Sequence, residues 1–477
     1  MKKKLSLILA VCMALGCAGC GEKKENVQTT DDVPTLLWYV PGNKQADVSL
    51  VMEEANKKLE SDIGCKLDLQ FIDGGAFTER MNMMMASGAE FDLCFTGYVN
   101  TYNNAVKQQV LEPLNELIDK EAPALKGALP DYLWDAATVN GEIYAVPNLQ
   151  ILASATAVFV QKDYADKYNF DINSVKSIND VEPLLAQIQN NEPDMYAYSP
   201  SNGVGPWVNG VEEPMGTGMV ISQDDPECKV LKRYETKEYI NAVNTLRDWY
   251  SKGYIRKDIA SASGGSDQAK NAVWSGSYKP GIEADTKTRI GKDVVCKILD
   301  PGHITSQMCV QTMIGISHTA QDKVKAVKVI EKLNTDKDFY HLIAHGIEGK
   351  HYTKIDDNHI KLIKDSGYAP NTDWMFGNQF NAFLLEGKAD DTWEQTEALN
   401  DNATKSKLLG FSFDSDNVIN QLSQCEAVIS EFAALENGSM DPVTILPQFK
   451  KKMEEAGLDK VIEELQKQIN EFLSSEK

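Results

Sequence analysis

The sequence predicts an α/β fold built on a mostly parallel sheet, and three strands linked by two helices at the start of its folded part predict it. Pro34 to Val40 (PTLLWYV) is a short apolar run stopped by Pro41-Gly42, which reads as a buried strand ending in a turn. Asp47 then offers a helix cap, and Val48, Met52, Ala55 and Leu59 share one helical face before Gly64. Lys66 to Ile72 (KLDLQFI) alternates as a strand does and runs into the turn Asp73-Gly74-Gly75. A second helix over Thr78 to Ser87 puts Met81, Met84 and Met85 together, and Phe91 to Thr96 (FDLCFT) is the third strand. Short links between alternating strands and helices favour parallel pairing. Ligands of such sheets bind beyond the carboxyl ends of the strands. Trp38, Tyr39, Asn43, Gln45, Asp73, Phe77, Thr96, Gly97 and Tyr98 fall there, a set dominated by aromatics and polar groups.

The rest of the chain continues in kind. Asn140-Gly141 is a hairpin turn between β-rich flanks. An apolar stretch runs from Asn148 to Val160, helical text resumes over Ile178 to Gln189, and a loop rich in Pro, Gly and Asn spans Asn190 to Pro214 with Trp207 inside it. Lys237 to Lys252 is an amphipathic helix whose Trp249 reads as core. After the Gly/Ser-rich Ser261 to Ser266 come an apolar run at Val310 to Ile316 and a helix over Gln321 to Leu333. The last hundred residues are mostly helical, with Leu458, Ile462, Leu465, Ile469 and Leu473 on one packed face.

Composition excludes some functions. The chain has 477 residues, 42% hydrophobic and 25% charged, which suits a folded protein with a large core. Against 48 Lys+Arg stand 70 Asp+Glu, for a net charge of -22. That balance opposes nucleic-acid binding, which needs a basic surface, and opposes a polybasic membrane surface. No stretch of 18 apolar residues offers a mature membrane span.

The amino-terminal segment reads as an address. Lys2, Lys3 and Lys4 precede a short apolar region, Leu5 to Ala14, the pattern of a secretory signal peptide over residues 1–19. Leu15-Gly16-Cys17-Ala18-Gly19-Cys20 resembles the bacterial lipobox, in which a thiol takes a lipid. Cys20 fits because Ala18 and Gly19 precede it, although Cys17 stands where Leu is usual; Cys17 is the rival, and a plain cleaved signal the alternative to both. Residues 20–33 are too polar to bury anything and read as a tether. Apart from Cys12, Cys17 and Cys20, the other six of the nine cysteines are scattered without a C-x-x-C pattern, and most read as buried free thiols.

Catalytic motifs are missing from the sequence. It has no G-x-S-x-G elbow and no phosphate-binding loop. His341 and His345 are four apart, as in a helical zinc pair, but no Glu or Cys completes a site, so they read as ordinary surface or helix-end histidines. Asp414-Ser415-Asp416-Asn417 lacks the Gly and closing Glu of a calcium loop and reads as a helix start before Val418. No metal and no cofactor is expected. Trp38, Trp207, Trp274 and Trp374 lie at strand ends or in loops, where each either packs or meets a ligand. An aromatic face can cover the C–H face of a sugar while amides and carboxylates take its hydroxyls. Gln150 and Asn378 complete the candidate ligand set.

Several stretches carry a resemblance. Asn140 to Pro147 (NGEIYAVP), Ala153 to Tyr168 (ASATAVFVQKDYADKY) and Met83 to Cys94 (MMMASGAEFDLC) resemble recurrent segments of extracellular solute-binding lipoproteins of ABC importers, carbohydrate-type family 1. Gly346 to Tyr352, Trp374 to Phe380, Gly410 to Asp414 and the helix from Ala456 resemble LipO-type lipoproteins. The resemblance implies a type II periplasmic-binding fold with two α/β lobes, a hinge and a helical carboxyl-terminal extension. It places lobe 1 at 34–149 with about 303–355 returning to it, lobe 2 at 150–302, and a helical region at 356–477 packing on lobe 2. It implies a carbohydrate ligand in the cleft, ABC permease subunits as partners, a monomer, and a lipid anchor on the outer face of the cell membrane. A surface glycosidase, or a binding protein for peptides or another solute, remain the alternatives.

Overall fold

The computed structural model describes residues 33–97, 102–200, 203–214, 218–262 and 267–475. β1 (Thr35–Pro41) pairs in parallel with β2 (Lys66–Ile72) on one side and β3 (Leu93–Gly97) on the other. Strict alternation along β1 sends Leu36, Trp38 and Val40 into the core. α1 (Val48–Asp62) buries Val51, Met52, Ala55 and Leu59. α2 (Gly74–Ser87) starts four residues before the sequence expectation, because the Asp73 carboxylate accepts the Gly75 N–H and caps a first turn that holds both glycines. Strand Thr312–Ile316 returns antiparallel between β3 and strand Ala145–Pro147, completing a five-stranded sheet.

A second sheet has four strands in the order Val294–Asp300, Thr156–Gln161, Asn271–Ser277, Tyr196–Ser199. Its first three strands pair antiparallel, and Asn271–Ser277 runs parallel to Tyr196–Ser199. Each sheet has its own core. The first runs from Leu36 to Ala153 and resumes from Ile304 to Ala403; the second runs from Val158 to Val273 and resumes from Leu408 to Ile469. The carboxyl-terminal region is therefore divided: Tyr368, Met375, Phe376, Ala382 and Ala403 join the first core, whereas the sequence reading put all of 356–477 on the second lobe. Helices Ile419–Glu431, Pro442–Glu455 and Leu458–Ser475 pack on the second lobe through Leu422, Met453, Leu458, Leu465 and Ile469. Trp249 is fully buried there, 4.8 Å from the Tyr198 ring.

The chain passes between the two cores at residues 148–155, 300–304 and 403–408, and these passages are stitched together. His303-Ile304 pairs in parallel with Thr404-Lys405, and the Ser154 N–H donates to the His303 carbonyl at 3.0 Å. Asn400, 2% exposed, accepts from the N–H groups of Leu152 and Ala153 at 2.8 and 3.1 Å and donates to the Gln150 carbonyl at 2.7 Å.

Two other expectations change. His345 does end a helix, Lys337–His345, but it and His341 are buried rather than on the surface. Asp414 and Asp416 do not cap the following helix; both pair with Lys107, at 2.7 and 3.2 Å, and helix Ile419–Glu431 starts without a side-chain cap. All six cysteines among the described residues are free thiols, five of them buried.

Candidate ligand-binding cleft

A pocket of about 230 Å³ has walls from both lobes. From the first lobe come Trp374, Asp373, His345 and Trp393; from the second come Lys279 and Asp285. Trp374 sits on a short turn, Asp373–Met375, that is fixed at three points. Its ring meets Phe95 of β3 edge-on at 6.1 Å, the Tyr340 hydroxyl donates to the Asp373 carbonyl at 2.8 Å, and the Gln379 amide donates to the Asp373 carboxylate at 2.9 Å. Trp393 is oriented by its indole N–H, which donates to the Ala382 carbonyl at 2.8 Å. The two tryptophans thus stand on supports that need no ligand.

Charge spans the gap between lobes. Asp285 of the second lobe lies 2.8 Å from Lys279 and 3.3 Å from Lys388 of the first-lobe side. Burial pushes the Asp285 carboxyl up, but Lys279 and then Lys388 outweigh it and hold the group below the ordinary carboxylate range. His345 ends its helix against the pocket, burial depresses its pKa, and its Nε2 has no hydrogen-bond partner among the described residues. A neutral imidazole, a carboxylate, amides and two indole faces can serve a polyhydroxy ligand. Among the described residues no group of His, Cys, Asp and Glu is arranged to hold a metal ion.

A second pocket, about 360 Å³, lies on the second lobe. Trp274 forms part of it and stacks on Phe159 of the adjacent strand, with centroids 5.5 Å apart and planes at 11°. Arg256, Asn271, Arg289 and Ser199 share that lining.

The residues singled out in the sequence are dispersed. Trp374 and Trp274 line the two pockets. Gln45 accepts the N–H of Ala369, a lining residue of the Trp374 pocket, and donates to the carbonyl of exposed Asn43. Gln150 donates to the Thr312 hydroxyl at 2.6 Å, beside the crossing, and Asn378 closes a turn by accepting the Phe380 N–H. Trp38 and Phe77 are interior, packed edge-on against Phe376 and Phe95 at 5.6 and 6.3 Å. Tyr39 is half-buried against Phe91, and Trp207 half-buried between Tyr198 and Trp249. Tyr98 and Cys20 lie outside the described residues. His345, Trp393, Lys279 and Asp285 were not visible as a group in the sequence, because they come from segments more than a hundred residues apart in the extreme case.

Comparison with known proteins follows the same outline. The family described as bacterial extracellular solute-binding protein matches residues 42–338, and a domain of unknown function matches 407–474, where the chain has returned to the second core. The chain is 30% identical to a carbohydrate ABC transporter substrate-binding protein of Streptococcus pneumoniae, over 98% of this chain and 97% of that protein. It is 22% identical to lipoprotein LipO of Bacillus subtilis over 76% of each. Its fold is similar to that of the N-glycan transport solute-binding protein NgtS from Streptococcus pneumoniae, at 27% identity and a TM-score of 0.85, covering 93% of this chain and 100% of that one. The TM-score is 0.74 and 0.70 with the same protein in complex with Man1GlcNAc and Man5GlcNAc. This chain belongs to the bacterial extracellular solute-binding protein family.

Proposed function

We infer that the protein captures an oligosaccharide between its lobes and delivers it to the permease of an ABC importer. As a member of a solute-binding family it binds its cargo and does not transform it. The observation that carries the reading is the Trp374 pocket, whose walls belong to both lobes. A ligand shifts a hinge equilibrium only if it binds one arrangement better than the other, and cargo that touches both walls does so. Indole faces suit the C–H faces of sugar rings, and Asp373, His345 and Lys279 supply acceptors and donors for hydroxyls.

Lipid on Cys20, which lies outside the described residues, would hold the body at the outer face of the membrane near that permease. Acyl chains contribute about 0.8 kcal/mol per buried CH₂, so two or three make a lasting anchor. Cys20→Ser is expected to release the protein from the membrane fraction.

The test is a panel of plant and host oligosaccharides, read by thermal shift and by small-angle scattering. A cognate glycan raises the unfolding midpoint by mass action and shrinks the radius of gyration. Stabilisation by a peptide panel with no response to any glycan would replace the sugar by a peptide as cargo; turnover of a glycan with no contraction would make the protein an enzyme.

A further inference from the structure

Arginine is rare in this chain. Of its 48 basic residues only five are arginine, at 80, 233, 247, 256 and 289. Two of those five, Arg256 and Arg289, line the pocket of Trp274. Lysine is the default cation here, so an arginine at a pocket is a choice of its planar fork, which matches a carboxylate with two parallel hydrogen bonds where an ammonium offers a point charge.

The partners of the arginines separate them. Arg233 pairs with Glu213 and Glu436, and Arg247 donates to the carbonyls of Gly438 and Ser439. Arg256 is occupied: it meets both oxygens of Asp258 at 2.6 and 2.7 Å, lies 3.4 Å from Asp267, and stacks 4.5 Å over the Tyr196 ring. Asp267, the one carboxylate in the pocket lining, is thereby held by Arg256, with Lys270 4.0 Å away. Arg289 has no ion pair and no hydrogen bond from its side chain among the described residues. Arg80 is also without a partner among the described residues, and both arginines are exposed, but Arg80 lies on α2 and lines neither pocket described above. In a chain of net charge -22, the Trp274 pocket holds a guanidinium that no carboxylate among the described residues neutralises, together with an indole and the amides of Asn271 and Asn437.

We propose that the Trp274 pocket takes a sugar unit bearing a carboxylate, with its ring against the indole and its carboxylate on the Arg289 fork. The proposal rests on the carbohydrate reading above and narrows it to acidic glycans. Indole supplies stacking that any sugar shares, while Arg289 supplies the discrimination, since a neutral sugar leaves it solvated at no gain. The carboxylate could belong to a uronic acid inside a polymer or to a terminal nonulosonic acid, and both offer the same two oxygens.

Matched pairs test it by titration calorimetry on the full soluble chain: trigalacturonate against its methyl ester, and sialyllactose against its methyl ester. In at least one pair the acid form is expected to bind at least five-fold tighter, with the preference shrinking in 0.5 M salt. Which pair responds identifies the source of the carboxylate. Arg289→Gln is expected to remove the preference, and Arg80→Gln, with an unpaired arginine elsewhere, to retain it; an unchanged melting temperature shows that each variant is folded. Equal affinity within both pairs, or a preference that survives Arg289→Gln, overturns the proposal. If neutral glycans from the wider panel still bind, the capture of oligosaccharide stands without it; if no glycan of any kind binds, the function itself fails first.

Discussion

A Cβ placed on Gly302 would lie 2.4 Å from the backbone nitrogen of Ala155, so the second passage between lobes runs directly against the first. Gly302 also holds φ at +86°, a conformation that side chains other than glycine disfavour. Gly302→Ala must therefore separate two chain segments that the Ser154–His303 hydrogen bond holds together. The strained dihedral alone costs roughly 1–3 kcal/mol, and the clash adds to it. The expected result is a lower denaturation midpoint together with a changed contraction on binding cargo. A variant indistinguishable from the parent in both would mean that the crossings are looser than their geometry.

Two tryptophans of similar sequence context should part company. Trp38 is fully buried against Phe376, so Trp38→Ala opens a large cavity and should cost about 3–5 kcal/mol of stability. Trp374 is half-buried at a pocket wall, and Trp374→Ala should leave the fold standing while weakening glycan binding by about ten-fold or more, the loss of one stacked ring with its buried area. Denaturant melts and calorimetry on both variants give the comparison. Loss of affinity without loss of stability in the Trp38 variant would reverse the assignment.

Stability should fall on mild acidification. Burial lowers the pKa of His341 to about 4, so its ring is neutral in the folded chain at pH 5, and burial also lowers that of His345. The unfolded chain, with histidines near 6.5, takes up protons first as pH drops. Stability is thus fully present above about pH 6.5 and declines as pH falls toward the folded value, by about 2 kcal/mol between pH 7 and 5 for His341 alone. His359 works in the opposite sense: burial lowers its pKa, but the bonds to Asp356 and to the Lys388 carbonyl raise it above the ordinary value, so its contribution is lost as pH rises. Melting temperatures from pH 7 to 5 check this, a window above the titration of most carboxylates. His341→Gln should flatten the curve; an unaltered slope would place the acid sensitivity elsewhere.

The elements were legible wherever a local pattern decided them. The apolar run of β1, the period of two in β2 and the face of α1 come straight from the order of side chains, and helix Lys237–Lys252 has the bounds its amphipathicity predicts. The α/β class follows from such elements and their short links. The alternation that the structure shows along β1 decides against Trp38 as a surface group, since Leu36 and Val40 on the same face are core. What spacing cannot carry is convergence over distance: His345 and Trp393 meet Lys279 and Asp285 because three separate passages fold two cores against each other. Pro447 illustrates a smaller limit, an interior proline that helix Pro442–Glu455 accommodates. The division of the carboxyl-terminal region was likewise hidden, because the helical text after residue 390 does not say which core each helix joins.

Asn400 offers the sharpest test of how the lobes are joined. Its carboxamide oxygen accepts two consecutive backbone N–H groups, those of Leu152 and Ala153, while its nitrogen donates to the Gln150 carbonyl. One buried amide therefore satisfies three polar groups of the first crossing, where no strand or helix does so. Asn400→Ala leaves all three without their partner and should cost roughly 2–4 kcal/mol, since each orphaned buried group costs about 1–3 kcal/mol less whatever water recovers. Asn400→Asp is the more discriminating variant. It keeps the acceptor for Leu152 and Ala153 but turns a donor into an oxygen facing the Gln150 carbonyl, so it should retain part of the stability at low pH, where the acid can donate, and lose it as the carboxyl ionises. Hydrogen exchange at Leu152 and Ala153 reads the outcome directly. Fast exchange in the alanine variant and slow exchange in the acidified aspartate variant are expected; equal protection in both would show that the crossing is held by its neighbours rather than by this side chain.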